Sequence, residues 1–160
     1  MNMKTYILDF EEVLKNFEPY HQSLKIIQKE KQEFATLIED IKKEMETIVN
    51  SSKSLILDEA TQQKNQNRFR ELQTKAVQAE SEFRANIMAK QNDELEKNFK
   101  QIIEMVEVWS KEKNIDLVIN KNTVVFVNPE FEITNDIVTL IKEKGMYQEY
   151  VEGMYEVAIN

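Results

Sequence analysis

His21 is the single histidine of the chain, and so the one side chain whose ordinary pKa suits proton transfer near neutrality. Acid–base work needs an oriented partner and a reacting group beside it. A capping or surface role needs neither, and His21 is expected to have one of those. Carboxylates are plentiful, as at Glu39, Asp40, Glu44 and Glu46. A glycosidase-like acid/base pair would need a cleft, whereas on a helix face such groups are solvated and pair with lysines at i,i+4, as Glu39 could with Lys43. Cysteine is absent, which removes disulfides, thiolate nucleophiles and thiolate metal sites together. With one histidine and no cysteine, no metal site is expected. The reading is of a non-enzyme without cofactor, and no catalytic residue is assigned.

The elements available to hold any such groups are few and long. Among 160 residues there are only 2 Gly and 2 Pro, too little turn chemistry for a many-stranded barrel or a Gly-rich phosphate loop. Hydrophobic residues make up 41% and charged residues 31%, the balance of a folded, strongly solvated protein. The net charge of −8 is carried by the two ends, since residues 22–99 hold thirteen Lys/Arg against fourteen Asp/Glu. No basic cluster capable of displacing counterions from phosphates stands out, so nucleic acid is not an expected partner. No segment approaches the roughly 20 apolar residues of a membrane span. The opening run, Met1 to Asp9, is too short in apolar residues to read as a signal peptide.

Thr5–Phe10 reads as a strand with Tyr6, Leu8 and Phe10 on one side. Asp9 can cap a short helix over 10–17 with Val13, Leu14 and Phe17 on its apolar face, and Pro19 is expected to end or kink that helix. From about 22 to 50, Leu24, Ile27, Lys31, Phe34, Ile38, Ile41, Met45 and Ile48 follow alternating steps of three and four. That is a heptad seam with one polar interruption at Lys31. Asn50–Ser54 reads as a turn, and Asp58 as the N-cap of a second long helix reaching about 113. Its seam runs Phe69, Leu72, Ala76, Ala79, Phe83, changes register between 84 and 94, and resumes at Leu95, Phe99, Ile102, Val106 and Trp109. Trp109 and Phe99 are expected in a core. Neither stripe can stay in water alone, so the two helices are expected to form an antiparallel hairpin.

After the hairpin the period changes to two. Residues 115–120 and 123–128 read as two strands joined at Lys121 and Asn122, and Pro129 stops the second. Thr134 is a good N-cap for a helix carrying Ile137, Val138, Leu140 and Ile141, with Gly145 at its end. The fold class expected is therefore α+β and mostly α: a long helical hairpin, 22–113 with its tip near 50–58, on a small β-body of residues 1–21 and 114–144. Three short strands make a poor sheet alone, so several copies are expected to close the body around an axis. Tyr6, Leu8, Leu117, Ile119, Val125 and Val127 are the residues expected to build that oligomeric body.

Two further surfaces are candidates for contact with another protein. Leu55, Ile56 and Leu57 form an apolar run at the hairpin tip, which either meets a bound client or partner protein or packs on the start of the second helix. Tyr147, Tyr150 and Tyr155 lie in a C-terminal extension, 145–160, where tyrosines either dock on the body or serve a partner.

Two stretches resemble the OmpH/Skp family. One is Tyr6-Ile7-Leu8-Asp9-Phe10-Glu11-Glu12-Val13-Leu14, followed by Glu18-Pro19-Tyr20. The other is Ile115-Asp116-Leu117-Val118-Ile119-Asn120 with Val124-Val125-Phe126-Val127-Asn128-Pro129 and Ile133-Thr134-Asn135-Asp136-Ile137-Val138. With the hairpin length, the resemblance covers roughly residues 4–143. It implies a homotrimer whose helical arms hold unfolded outer-membrane proteins without ATP, in the periplasm. The alternative expectation is a structural or assembly protein using the same scaffold for one fixed partner, cytoplasmic or virion-borne if Met1 is the native start.

Overall fold

The computed structural model describes residues 2–54 and 56–144. It forms two compact units: a body that takes in the residues up to Ser23 and those from Asp93 onward, and an arm, Leu24–Asn92.

In the body, strand β1 (Thr5–Leu8) pairs in parallel with β2 (Leu117–Asn120), from Thr5 opposite Leu117 to Leu8 opposite Asn120. Parallel partners need a long crossover, and here the helical hairpin between the strands provides it. A parallel bridge also joins Ile7 to Glu132, where the Ile133 N–H donates to the Ile7 carbonyl at 2.9 Å. Asp9 then ends the strand and caps helix α1 (Phe10–Lys15) by accepting from the Glu12 N–H at 3.1 Å. Helix α2 (Glu18–Ser52) begins almost at once. Pro19 therefore does not end the first helix; it occupies the first turn of the second, where its missing N–H costs nothing.

Helix α3 (Glu59–Glu112) enters the body for its last turns. It closes with Asn114 at φ 55°; the Ile115 N–H reaches the Ser110 carbonyl and the Asn114 N–H reaches that of Lys111. This is the doubly bonded left-handed cap, and Asn is one of the few non-glycine residues that tolerates it. The core gathers Val13, Leu14 and Phe17, Ile102, Met105 and Val106, and Ile133, Ile137 and Leu140. The last two belong to helix α4 (Thr134–Lys144), and Trp109 packs half-buried against the cluster.

The expected second strand at 123–128 does not form, and with it the expected hairpin is absent. Lys121–Thr123 makes a 3-10 turn instead, tied by the Thr123 hydroxyl donating to the Asn120 carbonyl at 2.8 Å. A two-residue reversal needs left-handed backbone at its centre, and neither Lys121 nor Asn122 adopts it. The chain runs on with extended backbone at Val124 and Asn128 and pairs with no strand among the described residues. Thr134 also differs from expectation. It is the first residue of its helix, and its hydroxyl accepts from the Asp9 N–H at 2.9 Å rather than capping its own first turn.

In the arm, α2 and α3 run antiparallel. Contacts pass from Ser51–Asn65 through Glu44–Arg68 and Phe34–Phe83 to Glu30–Lys90, falling on one helix as they rise on the other. Ile27, Ile41 and Leu72 are buried, and the Phe34 and Phe83 rings stack at 4.0 Å and 2°. The α2 portion, Leu24–Ser52, is about 43 Å long. Helix α2 also runs further than its composition promised. Ser51 and Ser52 stay helical by donating their hydroxyls to the Ile48 carbonyl, a bond short polar side chains make readily. Asp58 caps α3 as expected, accepting from the Thr61 N–H at 2.6 Å.

Candidate interaction surfaces

The body completes its own core, and this decides which of the residues expected to build an oligomer remain available. Leu8 is not among them: it is 4% exposed and lies inside the core. Tyr6 packs half-buried beside Phe131, ring centroids 6.4 Å apart. Ile119 and Val127 are half-buried, and Leu117 is exposed. Val125 is fully exposed at 106% and Phe126 stands at 82%. These two lie between Val124 and Asn128 on a run that bends at Val125 and has no ladder partner among the described residues, so apolar side chains and unpaired backbone coincide.

A second apolar strip lies on α3. Leu95, Phe99 and Ile103 follow one another at steps of four, and all are exposed. Phe99 meets the Phe10 ring edge-on at 4.9 Å but is not in the core where it was expected. The inward positions beside it are polar. Asn98, 1% exposed, donates to the Ser23 hydroxyl at 3.1 Å, and Ser23 in turn bonds Glu94 and the Pro19 carbonyl. Ser23 is thus inward where Leu24, 44% exposed, was expected.

The same shift recurs in the arm. Glu30, not Lys31, faces α3, and it pairs there with Lys90. In the arm the inward positions of α3 continue through Ile87 and Lys90, so the expected register change near 84–94 is a polar layer and not a break. These four groups, Ser23, Glu30, Glu94 and Asn98, were missed because a polar residue at an inward position looks like solvent-facing surface. The one available signal was spacing: 23, 27, 30, 34 and 38 follow a straight helix of 3.6 residues per turn more closely than a strict heptad does.

The rest of the arm surface carries mixed charge. Arg68 chelates Glu44 at 2.8 and 3.2 Å and also reaches Glu71. That guanidinium holds the Glu44 carboxyl below its ordinary pKa, and the carboxylates raise that of Arg68. Glu39 and Lys43 pair at 3.1 Å, and the bond to Glu39 raises the pKa of Lys43. Asp58 is held below its ordinary value by the hydroxyl and the backbone N–H of Thr61. Isolated apolar side chains stand between these charges: Leu37, Val77 and Met88 are all exposed.

At the tip, Ile56 is 92% exposed and Leu57 half-buried. Leu55 lies outside the described residues, as do Gly145, Tyr147, Tyr150 and Tyr155. His21 donates from Nε2 to the Lys15 carbonyl and so ties the start of α2 to the end of α1. Among the described residues, no group of three or more His, Cys, Asp or Glu could hold a metal ion. No described helix is long and apolar enough to cross a membrane.

Comparison with known proteins adds family and fold. The description of outer membrane proteins of the OmpH-like kind matches residues 4–141. A crystal structure from Caulobacter crescentus CB15, assigned as an OmpH-like outer membrane chaperone, superposes with a TM-score of 0.71 at 10% identity. The match covers 90% of this chain and 86% of that one. No curated protein matches the sequence.

Proposed function

The chain belongs to the OmpH-like outer membrane protein family, and we propose that within it this protein is an ATP-independent holdase. Three copies join through their bodies, and their arms enclose an unfolded client of the outer-membrane type. The observation that carries the reading is the pairing of a finished core with an unfinished edge. Val125 and Phe126 stand in solvent on irregular backbone, bent at Val125, that pairs with no strand among the described residues. Unpaired backbone beside exposed apolar side chains is a template for another chain, and closed rings of identical copies are the common way to satisfy it.

The arm supports the other half of the reading. A hairpin of two helices offers a client no deep pocket. Its exposed surface alternates charges with single apolar side chains such as Leu37, Val77 and Met88. Such a surface gives many weak, reversible contacts, and flexible methionine suits that use. The periplasm is the compartment that this function requires.

The test is dilution of a urea-unfolded β-barrel outer-membrane protein into buffer with and without the full chain. The expected result is suppressed light scattering near one client per three chains, unchanged by added ATP. Scattering that remains unsuppressed at several-fold excess of the protein would overturn the holdase reading.

A further inference from the structure

We infer that the tip of the arm carries a docking groove for acidic, aromatic-bearing segments of unfolded polypeptide. The inference rests on the holdase reading and adds where a client is gripped and what part of it. An open groove of about 400 Å³ runs between the last turns of α2 and the second to fourth turns of α3. That lies in the lower part of the size range of ligand sites, roughly 300–1,000 Å³. Its apolar floor is made by Ile48, Val49 and Phe69, and Val49 is left 43% exposed there.

The rim decides the chemistry. Lys53 and Arg70 line the groove, and no carboxylate does, in a chain whose net charge is −8. Neither cation makes an ion pair among the described residues. Arg68, two residues from Arg70, is by contrast occupied by Glu44 and Glu71. The lining of the groove is therefore positive, against the negative charge of the molecule. The depression further along α3 beside Val77 includes Glu82 and neither cation.

An occupant that matches the groove places a ring on the floor beside Phe69, where offset or edge-on aromatic contact is favourable. It places a carboxylate between Lys53 and Arg70, whose guanidinium can grip both carboxylate oxygens. Gln66, also on the rim, has amide groups to offer the peptide backbone. A basic segment meets like charge at the same rim and is rejected. Because the cations are exposed, added salt weakens the grip.

The test measures fluorescence anisotropy of three labelled peptides with the full chain. The first alternates aromatic residues with glutamate, the second has lysine at every glutamate, and the third has serine at every aromatic position. The first is expected to bind tightest. The paired change Lys53→Gln with Arg70→Gln should weaken it by roughly five- to tenfold, and Val49→Ser should weaken it with the rim charges intact. All three positions are exposed, and far-UV circular dichroism checks that the helices persist. Equal binding of the acidic and basic peptides, or affinity unchanged in both variants, would overturn the groove. Binding of the full chain to phosphatidylglycerol vesicles through Lys53 and Arg70, without peptide discrimination, would overturn it too and assign the cations to a lipid surface. Suppression of client aggregation is measured on the same samples. If suppression persists while the peptides fail to discriminate, the groove alone is wrong; if suppression is also absent, the holdase reading falls with it.

Discussion

Replacing Thr134 with valine removes a hydroxyl that ties the two ends of the body together across 125 residues of sequence. Thr134 is 5% exposed, its hydroxyl accepts from the Asp9 N–H at 2.9 Å, and it donates to Glu132 at 3.1 Å. Valine has nearly the same shape and a similar helix propensity, so the change opens no cavity. What it removes is the acceptor for the Asp9 N–H, together with the donor to the Glu132 carboxylate, which solvent can replace because Glu132 is only half-buried. A typical hydrogen bond contributes about 0.5–1.5 kcal/mol net, and a buried donor left without a partner costs about 1–3 kcal/mol. Asp9 is half-buried, so some water can reach the freed N–H, and a loss of about 1–2 kcal/mol is expected. Thr134→Ser keeps the hydroxyl and loses one methyl, for which about 0.8 kcal/mol is expected. Urea unfolding followed by the fluorescence of Trp109 is the suitable assay, because the single tryptophan packs against this core and reports on the body. Protein concentration is held fixed, since association would shift the midpoint. A valine variant no less stable than the serine variant would refute the argument that the hydroxyl, and not its methyl, joins Asp9 to α4.

Three further outcomes follow from the same geometry. Leu72→Ala removes a side chain that is 1% exposed in the arm and should cost about 2–4 kcal/mol, read as a lower urea midpoint in far-UV circular dichroism. Asp58 and Glu44 both have folded pKa values below their ordinary ones. Their stabilisation is therefore present above the unfolded-state pKa and is lost as pH falls through the lower folded values. Arm helicity should hold at neutral pH and decline in acid, and Asp58→Asn, which keeps a capping oxygen, should flatten that decline; an identical acid profile in the variant would speak against the cap. Val125→Ser with Phe126→Ser changes two exposed side chains, so the monomer's stability should change by no more than about 0.5 kcal/mol, while sedimentation velocity should show the proposed trimer dissociating at micromolar concentration.

Local chemistry made much of this fold legible. Asp9 and Asp58 announced their helices because a short acceptor before an amphipathic run has one obvious use. Ile27, Phe34, Ile41, Leu72 and Phe83 announced the hairpin by their period. The failures share a cause, which is that the deciding partner is distant in sequence. Residues 123–128 have strand composition, yet composition fixes neither where the backbone bends nor who pairs with it. Thr134 had the right type for a cap, but the Asp9 N–H competed for its hydroxyl. Ser23, Glu30, Glu94 and Asn98 sit inward because each finds a partner across the hairpin, and nothing in their own type reveals it. Of the candidate surfaces, Val125 was legible as β-type and apolar, whereas its exposure followed only from the missing hairpin. The rim of Lys53 and Arg70 emerged only when α2 and α3 were laid side by side.

The most direct test of the account is the solution mass of the full chain by multi-angle light scattering, taken alone and again with an unfolded outer-membrane client. The chain mass is 19.0 kDa. The account predicts a mass near three chains, rising by about one client mass when client is added, with the client kept in solution. A mass of one chain that takes up no client would contradict it.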